Sequence, residues 1–160
     1  MGVNKYQPYV YVLPEDDADR QLANGFHLEI DWNRQRRMQV LPEAGGWRHV
    51  LELFKSEYIS KMEQNPNQFI VLLIDFDGEV DRLGEAKAVI PQHLADRVFV
   101  LGAWGEPENL KAALGSYDNI GSALARDCRE ETDMTWRHDL LQHNASELDR
   151  LRTHVRPILF

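Results

Sequence analysis

Phe69-Ile70-Val71-Leu72-Leu73-Ile74-Asp75-Phe76-Asp77-Gly78 is the stretch on which the reading of this chain turns. Six apolar residues in a row, rich in β-branched types and too short for a typical helix, predict a strand buried on both faces of a parallel sheet. The run stops at two acids and a glycine. Open α/β sheets bind ligands at the carboxyl ends of their strands, and side chains at i and i+2 of a strand face the same way. Asp75 and Asp77 are therefore expected to share one site. Carboxylates at that spacing repel unless a proton, a cation or a cationic side chain relieves them, which points to a divalent metal or an acid/base pair. The purely structural alternative is an acidic turn in which Gly78 supplies a positive φ.

Working outward, Tyr9-Val10-Tyr11-Val12-Leu13 predicts a first strand ended by Pro14, with Glu15 just beyond it. Asp16 to Gly25 carries acids in its first turn and an Asn24-Gly25 stop, so a short helix is expected there. Phe26 to Asp31 is ambiguous. Met38 to Leu41 predicts a short second strand that runs into Pro42-Glu43-Ala44-Gly45-Gly46. Trp47, Val50, Leu51, Phe54, Tyr58 and Met62 recur at spacings of three and four, the pattern of an amphipathic helix that ends near Asn65-Pro66-Asn67. Glu79 to Pro91 is polar and mildly helical. Arg97 to Gly102 predicts a fourth strand, and the acidic exit through Glu106 and Glu108 leads to a short helix over Leu110 to Leu114. Beyond Gly115 the pattern is helical, with Leu124 and Cys128 on one face and Leu148, Leu151 and Val155 on another. The apolar tail Ile158-Leu159-Phe160 is expected to dock on the sheet.

Strands alternating with helices over short connections predict an α/β fold, a compact domain with a mostly parallel sheet of four to five strands flanked by helices. One domain over residues 1–160 is expected, with 8–115 as its core and 116–160 as a helical C-terminal extension. Three strand ends then carry acids: Glu15, the Asp75-Asp77 pair and the Glu106-Glu108 pair. They converge on one edge if the first and third strands are neighbours.

The chain's 160 residues suit a single domain with a real core, and 43% hydrophobic with 28% charged residues is ordinary for a soluble protein. No stretch approaches the roughly 20 apolar residues of a membrane helix. The N-terminus lacks the apolar segment of a secretory signal, so the cytoplasm is the expected compartment. The single cysteine, Cys128, forms no internal disulfide. A net charge of −8 argues against binding nucleic acid by bulk electrostatics, although bound cations invert the sign of a site locally. The one basic cluster, Arg34, Arg36 and Arg37, either faces phosphate or is a solvated loop. His138 and His143 are five apart, off the spacing that puts two ligands on one helical face. Neither a Gly-x-Ser-x-Gly elbow nor a phosphate-binding loop is present.

In these residues the chain resembles the Toprim domain of topoisomerases, primases and OLD-family nucleases, over about residues 8 to 115. Glu15 is similar to that family's Glu after the first strand, and Asp75-Phe76-Asp77 to its Asp-x-Asp after the third. Asp19 is similar to a second acid of many OLD-like members, Glu106 and Glu108 to a later acidic element that helps hold a second metal, and Gly45-Gly46-Trp47 to the turn into the second helix. Asp16 stands where the family usually has Gly. The resemblance implies Mg²⁺ or Mn²⁺ held by Glu15, Asp19, Asp75, Asp77 and Glu106 or Glu108, and cleavage or nicking of nucleic acid, DNA favoured, in a setting such as phage defence. Glu15, Asp75 and Asp77 are its catalytic acids, and Lys111 or Lys87 is expected to supply a cation for the transition state. With no ATPase region in the chain, an ATPase is the kind of protein partner implied; a homo-oligomer is left open. Two other readings stand beside it. One is a non-catalytic Toprim-like subunit that docks on an ATPase or nucleic acid. The other is a haloacid-dehalogenase-like phosphatase, which Asp75-Phe76-Asp77-Gly78 also resembles, with Asp75 as nucleophile and Asp77 as acid/base.

Overall fold

In the computed structural model, which describes residues 2–160, four parallel strands form one sheet: β1 (Tyr9–Pro14), β2 (Met38–Val40), β3 (Gln68–Leu73) and β4 (Val98–Leu101). Their spatial order is β2-β1-β3-β4. β1 and β3 pair along their whole length, from Tyr9 opposite Gln68 to Pro14 opposite Leu73, and the Glu15 N–H continues the ladder to the Leu73 carbonyl at 2.9 Å. The two acid-bearing segments thus leave the sheet side by side.

Strand alternation sorts the core into two layers. Val10, Val12, Val71, Phe99 and Leu101 face α1 (Asp17–Leu28), α6 (Tyr117–Glu130), α7 (Ala145–His154) and α8 (Arg156–Leu159). Leu13, Ile70, Leu72, Ile74, Val98 and Val100 face α2 (Trp47–Leu53), α3 (Ile59–Gln64) and α4 (Val80–Ala88). A π-helical segment, Phe54–Tyr58, joins α2 to α3, and the short α5 (Pro107–Leu114) follows β4. Both faces of β3 are covered, as its unbroken apolar run requires.

Asn24-Gly25 does not stop α1, which continues to Leu28. Gly25 is instead a point of close approach. A Cβ there would lie 2.1 Å from the Asp118 carbonyl oxygen, and one on Gly121 would lie 2.0 Å from that of Leu22. Backbone-to-backbone packing of α1 on α6 outweighs the local stop signal. The Ser122 hydroxyl donates to the Gly25 carbonyl and Arg129 to that of Glu29, both at 3.3 Å, so the two helices run parallel. Their N-termini lie together at the carboxyl edge of the sheet.

Side chains close the free edge of β4 in place of a fifth strand. The Asn144 carboxamide oxygen accepts from the Gly102 N–H at 3.2 Å while its nitrogen donates to the Gly102 carbonyl at 2.9 Å. Glu147 accepts the Val100 N–H at 2.9 Å, and Arg150 donates to the Val98 carbonyl at 3.3 Å. Positions three apart satisfy an edge that would otherwise be open to another strand. Burial opposes ionisation of Glu147, yet donors from Lys87, Val100 and Arg150 hold its carboxyl below the usual range. Lys87 is therefore committed to this buried acid, and the expectation that it serves the acid site is corrected.

The tail docks as expected, with Ile158 and Leu159 buried in the first layer. The arginine cluster binds chain ends: Arg34 donates to the Phe160 carbonyl at 2.7 Å, Arg37 to that of Ile158 and Arg36 to that of Gly2, each at 3.3 Å. Among the described residues, no helix is long and apolar enough to cross a membrane.

Candidate metal centre

Glu15 follows β1 directly, and Asp75 lies two residues past β3. Between them in sequence, Asp16 caps α1, its extended backbone (φ −143°) turning the chain into the helix while its carboxylate accepts the Asp19 N–H at 3.0 Å. That cap puts Asp19 in the first turn of α1, over the sheet's carboxyl edge. Gly45 and Gly46, with φ of 87° and 142°, donate their N–H groups to the Glu15 carbonyl at 2.9 and 3.3 Å. The glycine turn thereby fixes the Glu15 backbone.

Glu15, Asp19 and Asp75 each offer a carboxylate oxygen within 4.8 Å of the others. Asp19 is 0% exposed and Asp75 4%. Both Asp19 oxygens and Oδ1 of Asp75 are buried with no hydrogen-bond partner among the described residues. Glu15 is half-buried, and its Oε2 accepts the Asp75 N–H at 2.6 Å. Burial, then the charges of Asp16 and Glu15, push Asp75 up to about 8. Burial and the neighbouring Asp75 raise Asp19 well above the usual carboxylate range. Glu15 is raised too, by burial that outweighs the N–H it accepts. Without a cation the repulsion is relieved at Asp75, which keeps its proton at neutral pH.

An all-oxygen donor set with unpaired, dry carboxylates fits a hard divalent cation. Asp19 stands in the first turn of α1, whose N-terminus adds positive partial charge beside the acids.

The remaining acids take other places. The strand has ended before Asp77, which adopts a left-handed φ of 49° as the Gly78 N–H turns to the Trp104 carbonyl. The i, i+2 expectation is thereby corrected: Asp77 is 45% exposed at the rim and ion-paired to Arg82 at 3.2 Å. Its charge still raises Glu15. Glu106 and Glu108 are exposed at the start of α5, outside the triad. Glu108 is felt by the buried Tyr117, whose hydroxyl is pushed up by burial and then by Glu108, Asp16, Asp75 and Asp19. Lys111 lies over the Tyr117 ring, Nζ 5.4 Å from its centroid, which puts it at the rim on the α6 side.

Sequence reading missed Arg82. Its side chain is 12% exposed, donates to the Asp75 carbonyl at 2.8 Å, pairs with Asp77 and Glu79, and covers the Trp47 ring at 4.9 Å. Its charge lowers Glu15. The available signal was Arg82 three residues after Glu79, one helical turn on. Trp104 stacks on Phe76 with centroids 6.4 Å apart and lies 5.3 Å from His143, on the other side of the alternating segment from Asp75.

No protein-family model matches this chain, and no curated protein or solved structure matches it significantly.

Proposed function

We propose that this protein is a hydrolase that cleaves or nicks nucleic acid, DNA favoured, with Mg²⁺ or Mn²⁺ held by Glu15, Asp19 and Asp75, acting within a larger assembly that includes a protein such as an ATPase. One observation carries the reading: carboxylates from two neighbouring strand ends and from the first turn of α1 converge, and two of them bury oxygens that no group among the described residues satisfies. Leaving such groups unpaired costs several kcal/mol, which a resident cation offsets. Such an ion supplies neutralising charge for a phosphate and a water of lowered pKa.

The chain's own residues divide the remaining work. Asp19 and Asp75 form the dry side of the centre and hold their oxygens in place through the α1 cap and the β3 exit. Glu15 is half-buried, so its second oxygen is the one placed to orient a water or take its proton. Arg82 locks the Asp75 carbonyl and the Asp77 carboxylate, which fixes the turn that carries both. Lys111 offers a positive charge at the rim for a substrate phosphate. In a chain of net charge −8, attraction of a polyanion has to be local. The similarity of Glu15 and Asp75-Phe76-Asp77 to the Toprim acids supports the same chemistry.

Cleavage of supercoiled plasmid and of single strands with Mg²⁺ or Mn²⁺ tests the reading. The native chain is expected to nick, and Glu15→Ala and Asp75→Ala/Asp77→Ala each to lose activity by about 10²–10³-fold. Activity retained in both variants would remove the triad from the chemistry.

A further inference from the structure

A pocket opens toward the opposite end of the sheet from the acid triad, where β1 and β3 begin. Its volume is about 420 Å³, and its walls include Lys5, Tyr9, Tyr11, Tyr58, Lys61 and Gln68. Along β1, Tyr9 and Tyr11 stand about 20 and 13 Å from Glu15.

Three features separate it from an ordinary surface dent. No carboxylate lines it, in a chain with a net charge of −8, while two ammonium groups do. Tyrosine rings make up one side: Tyr11 meets Tyr9 edge-on at 5.2 Å and Tyr58 at 6.2 Å, and Lys61 Nζ sits 5.1 Å from the Tyr58 centroid. Lys61 also approaches Glu57 at 3.9 Å, an exposed pair that solvent screens. The third feature is Gln68, 2% exposed. Its Oε1 accepts the Tyr9 hydroxyl at 3.1 Å, and Asn65 donates to that hydroxyl at 3.0 Å, but Gln68 Nε2 has no partner among the described residues. Because its oxygen is taken, the free half of the carboxamide is a donor only, and it selects for an acceptor.

We propose that this pocket binds a nucleotide. The base packs against Tyr11 and Tyr58, a carbonyl or ring-nitrogen acceptor on it meets Gln68 Nε2, and Lys61 and Lys5 take the phosphate. Aromatic side chains and ammonium groups side by side are how single nucleotides are gripped without a phosphate-binding loop. A free nucleotide and one unit of a nucleic-acid strand present the same chemistry. The site shares no residue with the acid triad and stands or falls separately from the proposed cleavage.

The test is a titration of the ¹⁵N-labelled chain, in metal-free buffer, with UMP, with ribose 5-phosphate and with a ten-residue oligothymidylate. UMP is expected to shift the Gln68 side-chain amide resonances saturably, and ribose 5-phosphate to leave them in place. The surface change Lys61→Glu should weaken UMP at least about tenfold and Tyr58→Leu similarly, while Asp75→Asn binds UMP as the native chain does. Tighter binding of the oligomer identifies a strand as the ligand, and equal binding per nucleotide identifies the free nucleotide. An unshifted Gln68 amide up to about 5 mM UMP, or a shift that Lys61→Glu leaves unchanged, would overturn the proposal.

Discussion

Asp19→Asn is expected to make the metal-free protein more stable and its metal-dependent cleavage at least about 100-fold weaker. The two effects have one cause. Asp19 is fully buried with both carboxylate oxygens unpaired, and its nearest charges are Asp75, Asp16 and Glu15, all of the same sign. In the absence of a cation that arrangement opposes folding. A carboxamide has nearly the same shape, carries no charge, and brings an N–H₂ that can donate to a neighbouring carboxylate. Replacing a buried, unpartnered acid by a neutral group of similar volume that finds a partner stabilises by about 1–3 kcal/mol. Urea melts in EDTA, run beside the plasmid assay, check both halves. A loss of stability of the size usual for a core substitution, with cleavage intact, would make Asp19 a structural residue.

Stability of the metal-free protein is expected to fall as pH rises from about 4 to 8. Asp75 and Asp19 both have folded-state values raised above their unfolded ones, Asp75 to about 8. The folded state therefore binds more protons across that window. Stability linked to these groups is fully present below the unfolded value near 4 and is lost as pH climbs through the folded one. At about 1.4 kcal/mol per pKa unit the loss amounts to several kcal/mol. His143 works the other way: burial lowers it, so its contribution grows as pH rises through its ordinary range. The interval from about 6.5 to 8 is consequently the cleanest. Saturating Mn²⁺ should flatten or reverse the slope, since a cation displaces the protons and binds only the folded chain. A flat or rising profile in EDTA would mean that the carboxylates are relieved by something other than protons.

Much of this architecture was legible because it is written in local pattern. Phe69 to Ile74 reads as a doubly covered strand and Tyr9 to Leu13 as a first strand, and the sheet contains both. Glu15 and Asp75 followed from their places at strand ends, once β1 and β3 proved to be neighbours. What the sequence hid depends on distant partners. Gly25 reads as a stop, yet it is the place where the backbone of Asp118 touches α1. Asp77 reads as a strand residue, but the turn to the Trp104 carbonyl rotates it away from Asp75. Arg82 looked like one more polar helix position, and its role emerges only when the Asp75 carbonyl and Trp47 are seen around it. Lys87 looked free because Glu147, its partner, lies 60 residues away.

The central claim is that Glu15, Asp19 and Asp75 form a divalent-cation centre, and Mn²⁺ binding followed by electron paramagnetic resonance tests it directly. The account predicts that the native chain removes at least one Mn²⁺ per molecule from the free-ion signal with a Kd tighter than about 1 mM, and that Asp19→Asn and Asp75→Asn abolish this binding. A native chain that leaves the free Mn²⁺ signal undiminished would contradict it.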